Sequence, residues 1–325
     1  MRILAVDDDP FIRDLLPVVF EQAKFPDVTI AESGAAALSL LDTSDEAFDC
    51  LVLDIQMPRM DGITLCSHIR ALNGYRETPI IMLTANTDLT SIEKAFVAGA
   101  NDYVTKPFDV KEISNRVRIA ERLLNAADGF PELDPTLAGP AQATPGAHDF
   151  ALTDPIRLTN VAQVVLPFSL GNYLSQLSRK HLDACQVFAV RIDHLEPLFE
   201  STTTAEFARA LAASAEAIVQ VVECAEMLMA YDGNGIFMCI APTDSLPAWP
   251  QMEDQINALL AESGLAFDDG RAMKICVSAG GPMQPNASRT QRVRKTFDRA
   301  LARVSMRQRV KYPEADNEKN RPRLE

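Results

Sequence analysis

Five polar side chains follow short apolar runs and could act together as one chemical site. In chain order they are Asp7, Asp8, Asp54, Thr84 and Lys106. Clustered carboxylates repel one another, and a hard divalent cation with oxygen ligands, such as Mg²⁺, relieves that repulsion. A carboxylate beside such a cation can act as a nucleophile and accept a phosphoryl group. The cation, the ammonium group and the hydroxyl would then share the charge of the phosphoryl oxygens.

These side chains are positioned by a repeating pattern over residues 1–125, where apolar runs alternate with stretches of helical periodicity. The predicted strands cover residues 2–6, 28–31, 50–53, 79–83 and 102–104. The predicted helices cover residues 11–24, 34–41, 62–72, 89–98 and 110–125. Five βα units in a row indicate an α/β domain with a doubly wound, parallel five-stranded sheet. Ligands bind at the carboxyl ends of such strands, so we expect the polar side chains to meet there.

Charge and composition exclude several classes of function. The 325-residue chain is 47% hydrophobic and 23% charged, which is typical of a folded protein with about two domains. Its net charge of −14 argues against nucleic acid or an anionic membrane as partner, unless a local basic patch overrides it. The sequence contains neither a membrane-spanning run nor a signal peptide, so we expect a cytoplasmic protein. Six scattered cysteines indicate reduced thiols rather than a disulfide or zinc framework.

Residues 1–125 resemble a response-regulator receiver domain along their whole length. The matching motifs are ILAVDDDP, LVLDIQMPRMDG, IMLTA and DYVTKPF. The resemblance implies a flavodoxin-like fold and a sensor histidine kinase or histidine phosphotransfer protein as partner. It also implies that the domain catalyses its own phosphorylation and dephosphorylation.

The resemblance assigns the acidic residues to phosphoryl and Mg²⁺ chemistry. Asp54 would be the phosphoacceptor, and Lys106 would pair with the phosphate. Asp8 would bind Mg²⁺ directly and Asp7 through water. The backbone carbonyl of Gln56 and the Asp54 side chain would complete the set of protein ligands.

The resemblance also implies a conformational switch. Thr84 would move toward the phosphoryl group, and Tyr103 would turn inward behind it. We further expect a cis peptide bond between Lys106 and Pro107.

The remainder of the chain divides into a linker, a second domain and a tail. Residues 126–148 are rich in Pro, Gly and Ala, which predicts a linker. Residues 149–311 carry predicted helices at 170–184, 204–224, 250–263 and 289–304, and predicted strands at 187–192, 226–231, 235–240 and 273–278. The sequence Tyr231-Asp-Gly-Asn-Gly235 predicts a hairpin turn. Residues 312–325 are polar, and we expect a disordered tail.

Residues 149–311 resemble a diguanylate cyclase (GGDEF) domain, which implies an α+β fold with a mostly antiparallel sheet. The matching segments are AVRIDHL, YDGNGI, KICVSAGGP and TFDRALARVSMRQRVKY. The hairpin GNG is also similar to the Gly-Asp-Gly of class III nucleotide cyclases, but the last segment favours the first family.

The residues at the catalytic positions of that family indicate that cyclase chemistry is lost. Arg191 stands where the first metal-binding Asp is expected, and Asn234 and Gly235 stand where the signature has its acids. Phe199 falls where a guanine-reading Asn is expected. Two-metal phosphoryl transfer needs carboxylates to hold its cations. The prediction is therefore a non-enzymatic output domain that acts through an unknown downstream protein or through a homodimer.

Two alternatives remain open at this point. The second domain could be a receiver-gated sensor that binds GTP or cyclic di-GMP, or, less favoured, an active diguanylate cyclase. A DNA-binding regulator is disfavoured because no helix-turn-helix-like segment is visible and the chain is acidic.

Overall fold

The computed structural model describes residues 1–85, 89–125, 130–137, 143–288 and 290–313. The chain divides into two compact units, Met1–Gly129 and Phe130–Glu325. Among the described residues, no helix is long and apolar enough to cross a bilayer. The predicted tail lies outside the described residues from position 314 onward.

Unit 1 is a parallel sheet with five strands in the order β2-β1-β3-β4-β5. The strands are β1 (Ile3–Val6), β2 (Val28–Ala31), β3 (Cys50–Asp54), β4 (Ile80–Thr84) and β5 (Asp102–Thr105). The helices are α1 (Pro10–Gln22), α2 (Gly34–Thr43), α3 (Gly62–Ala71), α4 (Leu89–Val97) and α5 (Val110–Asn125). All four strand pairings are parallel, so the predicted doubly wound α/β fold is confirmed.

Burial and capping explain why these segments form these elements. Every residue of β1, β3 and β4 is buried, because helices cover both faces of a doubly wound sheet. Asp9 accepts a hydrogen bond from the backbone N–H of Phe11, and Pro10 occupies the first turn of α1. Asp61 caps α3 in the same way through the N–H of Thr64, at 2.7 Å. The caps fix where the two helices begin, directly beside the carboxyl ends of the strands.

Unit 2 contains an antiparallel four-stranded sheet in the order β11-β8-β10-β9 and a two-stranded parallel sheet, β6-β7. The strands are β6 (Glu132–Leu133), β7 (Arg157–Leu158), β8 (Cys185–Ile192), β9 (Leu228–Tyr231), β10 (Ile236–Pro242) and β11 (Val277–Ala279). The helices are α6 (Pro167–Gln176), α7 (Arg179–Ala184), α8 (Leu195–Ser201), α9 (Thr204–Val222), α10 (Gln251–Glu262) and α11 (Arg292–Lys311). The predicted antiparallel sheet is present.

Helices cover both faces of the larger sheet. Phe188, Val190 and Ile192 of β8 belong to one apolar core together with residues of α9 and α10. The other face is turned toward α11, since a Cβ on Gly280, just after β11, would lie 2.8 Å from the backbone nitrogen of Val304. Unit 2 is therefore a three-layer α/β/α arrangement.

The predicted hairpin is confirmed by the pairing of β9 with β10. Asn234 and its two glycine neighbours all adopt positive φ, with φ of +77° at Gly233. A Cβ on Gly233 would lie 2.1 Å from the carbonyl oxygen of Thr153, so this position excludes any side chain.

Unit 2 differs from the sequence expectation at three places. The predicted helix 170–184 is interrupted at Leu177, whose ψ of 132° is not helical, and Ser178 caps the separate helix α7. Helix α8 was not predicted, since its seven residues are too short to show a helical period. The predicted strand 273–278 contracts to β11, and residue 289, the start of a predicted helix, lies outside the described residues.

The predicted linker is partly packed into unit 2. Leu133 is buried and pairs with β7, and Gly146 donates a backbone hydrogen bond of 2.9 Å to Thr202. Sequence periodicity misses these contacts because single residues make them. Residues 126–129 and 138–142 of the predicted linker lie outside the described residues.

Two buried carboxylates hold the end of α11 against the sheet. Asp193 is 5% exposed and accepts hydrogen bonds of 2.7–3.2 Å from Ser278, Gln308, Lys311 and Tyr312. Glu253 is 2% exposed and pairs with Arg307 at 2.8 Å. Both acids serve packing, so Asp193 has a structural role here.

We expect Asp193→Asn to destabilise unit 2 by about 1–3 kcal/mol, because the donors around it lose their charged acceptor. The partial exposure of Lys311, at 24%, keeps the expected cost below that of a fully buried pair. Urea unfolding followed by the fluorescence of the single Trp249 measures the effect. Asp298→Asn is the matched control, since its pair with Arg294 is 3.8 Å long and exposed. An equal effect of both substitutions would contradict this role of Asp193.

Candidate functional site

Three carboxylates meet at the carboxyl ends of β1 and β3. Each of Asp7, Asp8 and Asp54 offers an oxygen, and the three oxygens lie within 4.8 Å of one another. Asp7 and Asp54 are buried, at 1% and 3% exposure, and Asp8 is partly exposed. The structure thus brings together the three acids that the sequence predicts as Mg²⁺ ligands.

Lys106 connects two of these acids. Its Nζ donates hydrogen bonds of 2.7 Å to Asp7 Oδ2 and 2.7 Å to Asp54 Oδ1. Its backbone N–H donates to the carbonyl of Thr84 at 2.7 Å, which ties the loop after β5 to the end of β4. The peptide bond to Pro107 is cis, as predicted.

Burial sets the protonation behaviour of the site. Desolvation raises the pKa of Asp54 to about 6; the Lys106 ammonium opposes this rise, and the charges of Asp7 and Asp8 add to it. Burial acts to lower the pKa of Lys106, but its hydrogen bonds to Asp54 and Asp7 outweigh burial, so that its pKa is raised. One ammonium thus faces three carboxylates. This excess of negative charge, presented by oxygen ligands, fits a hard divalent cation.

Two residues that sequence reasoning missed shape the site. The guanidinium of Arg13 donates to the backbone carbonyls of Asp7 and Asp8, at 3.1 and 2.7 Å. At Gly62, a Cβ would lie 2.1 Å from the carbonyl oxygen of Asp54, so only glycine lets α3 begin this close to β3. The role of Gly62 could have been found from the sequence, because the run Asp61-Gly62 after a strand indicates the start of a helix. Arg13 gives no such signal, since it looks like an ordinary surface residue of α1.

The predicted switch residues lie on neighbouring strands. Thr84 is fully buried at the end of β4. Tyr103 on β5 is 5% exposed. Its ring makes an edge-to-face contact with Phe96 on α4, with 6.2 Å between the ring centroids and 88° between the ring planes. Gln56 lies two residues after Asp54 with an exposed side chain, and its predicted carbonyl ligation stays a prediction.

The four predicted cyclase positions lie in two regions of unit 2. Arg191 lies on β8 opposite Ile236, and Asn234 and Gly235 form the adjoining turn. Phe199 lies on α8, and its ring is stacked on that of His148 with 3.9 Å between the ring centroids. Among the described residues of this unit, no three acids, cysteines or histidines gather as they do in unit 1.

Arg191 has an unusual environment. Its Nε is buried and has no hydrogen-bond partner within the described part of the chain. The residue as a whole is only partly buried. A guanidinium in this state has donors available for an anion.

Comparisons with known proteins assign the first unit. The family model of the response regulator receiver domain matches residues 3–118. Curated relatives include the "Heme response regulator HssR" of Staphylococcus aureus strains JH9 and JH1, 42% identical over 125 residues. That alignment covers 38% of this chain and 53% of the relative, so the chain spans about half the length of the curated relatives it matches.

Solved structures also match part of the chain. A putative response regulator from Chloroflexus aurantiacus J-10-fl is 37% identical, with 37% of this chain and 95% of that chain covered and a TM-score of 0.35. The receiver domain of the Francisella response regulator 1452 is 35% identical, with 37% and 96% covered and a TM-score of 0.34. The matched family and the convergence of the acids with Lys106 lead to one conclusion: residues 3–118 form a response regulator receiver domain.

Proposed function

We propose that the protein is a two-component response regulator that receives a phosphoryl group on Asp54. The donor is the phosphohistidine of a sensor histidine kinase or of a histidine phosphotransfer protein. The observation that carries the proposal is the cluster of Asp7, Asp8 and Asp54 bridged by Lys106. A partly buried lysine between two acids places positive charge where a phosphoryl group would add negative charge.

The transfer step uses the side chains as the structure presents them. Because Lys106 bonds Oδ1 of Asp54, Oδ2 is the oxygen that attacks phosphorus. The O–P bond forms as the P–N bond of the phosphohistidine breaks, and the released imidazole keeps the electron pair and takes a proton. Lys106 is then within reach of the new phosphoryl oxygens.

Asp7, Asp8, Asp54 and the Gln56 carbonyl would hold Mg²⁺ in this site. When bound, the ion supplies positive charge for the phosphoryl oxygens during transfer. The acids' contribution is to bind the ion, and the capped start of α1 helps to fix the first two of them in place.

We infer that the switch acts through Thr84 and Tyr103. Added negative charge at Asp54 attracts the Thr84 hydroxyl from the adjacent strand, and the space it leaves is taken up by Tyr103. The edge contact between Tyr103 and Phe96 passes this change to α4. The face formed by α4, β5 and α5 is then repacked.

The proposed output of unit 2 is protein–protein interaction. Support comes from the residues at the cyclase-like positions. None of Arg191, Asn234 and Gly235 offers a carboxylate. The ring of Phe199 is stacked on the ring of His148. Two-metal chemistry needs acids at such positions. The unit is thus a degenerate cyclase-like domain that contacts a downstream protein.

Purified full-length protein is expected to form no cyclic di-GMP from GTP and Mg²⁺, with or without beryllofluoride as a phosphoryl mimic. An active diguanylate cyclase run in parallel shows that the assay works. Measurable turnover would overturn the non-enzymatic output. Pull-downs with and without beryllofluoride, and with Asp54→Asn as control, then test whether a partner depends on the receiver state.

A second candidate, a nucleotide sensor, is favoured by one observation: the buried Nε of Arg191 has no hydrogen-bond partner among the residues that the structure describes. Calorimetric titration with GTP and with cyclic di-GMP tests it. Saturable binding that is lost in Arg191→Ala, and retained in Arg179→Ala, would support the sensor. Absence of binding in the wild type would leave the protein-interaction output.

A further inference from the structure

Helix α11 carries a charge opposite to that of the whole protein. It contains eight lysines and arginines and one acid, Asp298, for a formal charge of +7. The chain as a whole carries −14, so the remainder carries −21. Several of the cations, among them Arg292, Arg303, Arg307 and Lys311, are used in contacts within the unit.

The exposed side of α11 combines cations with apolar side chains. Met306 and Val310 are 69% and 66% exposed and lie one turn apart, with the exposed Ala302 one turn before them. Lys295 and Arg299 are exposed on the same side and make no ion pair within the described residues. We call these five residues the basic face. The three apolar side chains form a ridge that lies beside the two cations.

A groove in unit 2 has the complementary character. It has a volume of about 600 Å³ and lies between the carboxyl-terminal turns of α9 and α10. Val222, Leu246 and Leu259 form its apolar floor. Glu223 and Glu262 stand at its rim and are exposed. These five residues are called here the acidic groove.

The backbone adds to the negative charge of the groove. Helix α9 ends at Val222 and α10 ends at Glu262, so the partial negative charge of both helix ends lies at this rim. Its most favourable occupant is an apolar ridge accompanied by cations.

One copy of the chain cannot bring its own basic face to its own acidic groove. The groove belongs to the α9 and α10 layer, whereas α11 lies on the opposite face of the sheet. Two chains are needed, and contact between two different surfaces is heterologous. A symmetric contact between two α11 helices would instead place cations against cations.

We propose that the basic face of one copy docks in the acidic groove of a second copy, so that the protein self-associates head to tail through unit 2. A nucleic acid or an anionic membrane is a less favourable occupant, because an extended polyanion also meets the acidic remainder of the chain. The groove of a second copy, in contrast, contacts only the basic face. Salt in solution screens the repulsion between the more distant acidic surfaces of the two copies. The inference goes beyond the proposed phosphoryl chemistry and does not depend on Asp54.

Sedimentation velocity of the unphosphorylated full-length chain tests the proposal. We expect the average mass to rise with concentration up to about 0.3 mM, a range that covers weak association. Association should weaken as salt rises from about 0.05 to 0.5 M, over which the Debye length falls severalfold. Met306→Ser should weaken it as well, since the ridge loses its central side chain.

Charge reversal identifies the two surfaces. Lys295→Glu/Arg299→Glu and Glu223→Lys/Glu262→Lys are each expected to weaken self-association at least tenfold. An equal mixture of these two variants should associate again, because the reversed, acidic face of one then meets the reversed, basic groove of the other, and the two unchanged surfaces also meet. Arg179→Glu/Lys180→Glu, two exposed cations on α7, is the matched control and should behave as the wild type. Circular dichroism confirms that all four proteins are folded.

Three results would overturn the proposal. They are a wild-type chain that stays monomeric over the whole range, association that survives both charge reversals, and a mixture that fails to recover. Binding of phosphatidylserine vesicles or DNA by a monomeric wild type, lost in Lys295→Glu/Arg299→Glu, would assign the face to a polyanion instead. None of these results bears on phosphorylation of Asp54, which is measured separately.

Discussion

Asp54→Asn is expected to abolish labelling of the protein by radioactive acetyl phosphate in the presence of Mg²⁺. The amide nitrogen and oxygen of Asn are poor nucleophiles, so the O–P bond cannot form. The loss should be complete within the detection limit, because the other two acids of the cluster are assigned to Mg²⁺. Intact-mass spectrometry gives a second measurement, since the wild type should gain the mass of one phosphoryl group.

Asp9→Asn is the matched control for this prediction. Asp9 is a neighbouring acid, but its side chain caps α1 by accepting from the N–H of Phe11, and Asn caps equally well. Labelling should persist in this variant. Labelling that persists in Asp54→Asn would move the acceptor to another residue and refute the assignment.

In Mg²⁺-free buffer, unit 1 is expected to lose stability as the pH rises from about 4 to about 6. The folded pKa of Asp54, about 6, lies above the unfolded value of about 3.9. The folded state therefore binds more protons between these values, and its free energy of unfolding falls as the proton is released. Two pKa units correspond to about 3 kcal/mol, which is the upper limit of the effect.

Asp54→Asn isolates this contribution, because other acids titrate over the same range. The variant lacks the ionised carboxylate and should be more stable than the wild type by about 1–3 kcal/mol above pH 6. Amide hydrogen exchange of β1 and β3, corrected for the intrinsic rate at each pH, reports the free energy for this unit alone. The raised pKa of Asp54 would be contradicted if the difference in free energy of unfolding between the wild type and Asp54→Asn did not change with pH.

Added Mg²⁺ should reverse the difference in stability between the wild type and Asp54→Asn. A cation beside Asp54 favours its charged form and binds the folded state only, so it stabilises the wild type above pH 6. Asp54→Asn should gain less, since it has lost one of the three carboxylates. Equal stabilisation of both proteins would place the ion elsewhere.

The architecture of unit 1 could be predicted from the sequence because its information is local. Strands buried on both faces read as apolar runs, and the intervening helices show their own period. Because the strands are parallel, their carboxyl ends lie at the same edge of the sheet. Asp7, Asp8 and Asp54 follow or end such strands, so the sequence places them at that edge. Unit 2 was harder, since α8 is short and the described linker residues 130–137 and 143–148 pack into the unit through single residues such as Leu133.

The functional positions of unit 2 show where local reasoning stops. The substitution of acids by Arg191, Asn234 and Gly235 is visible in the sequence. The stacking of Phe199 on His148 is not, because the two residues are 51 positions apart. The same holds for the basic face and the acidic groove, which are made visible only by the exposure of their side chains.

The sequence by itself determined the parallel fold of unit 1, the identity of its polar residues and the strand ends at which they stand. Only the tertiary structure decided how these residues interact. Lys106 lies 99 positions from Asp7 and 52 from Asp54, yet it bonds both. The raised pKa of Asp54 follows from its burial and from the charges of Asp7 and Asp8, which together outweigh the opposing Lys106 ammonium. Desolvation and charge coupling depend on distance in space, and sequence patterns of neighbouring residues do not contain that distance.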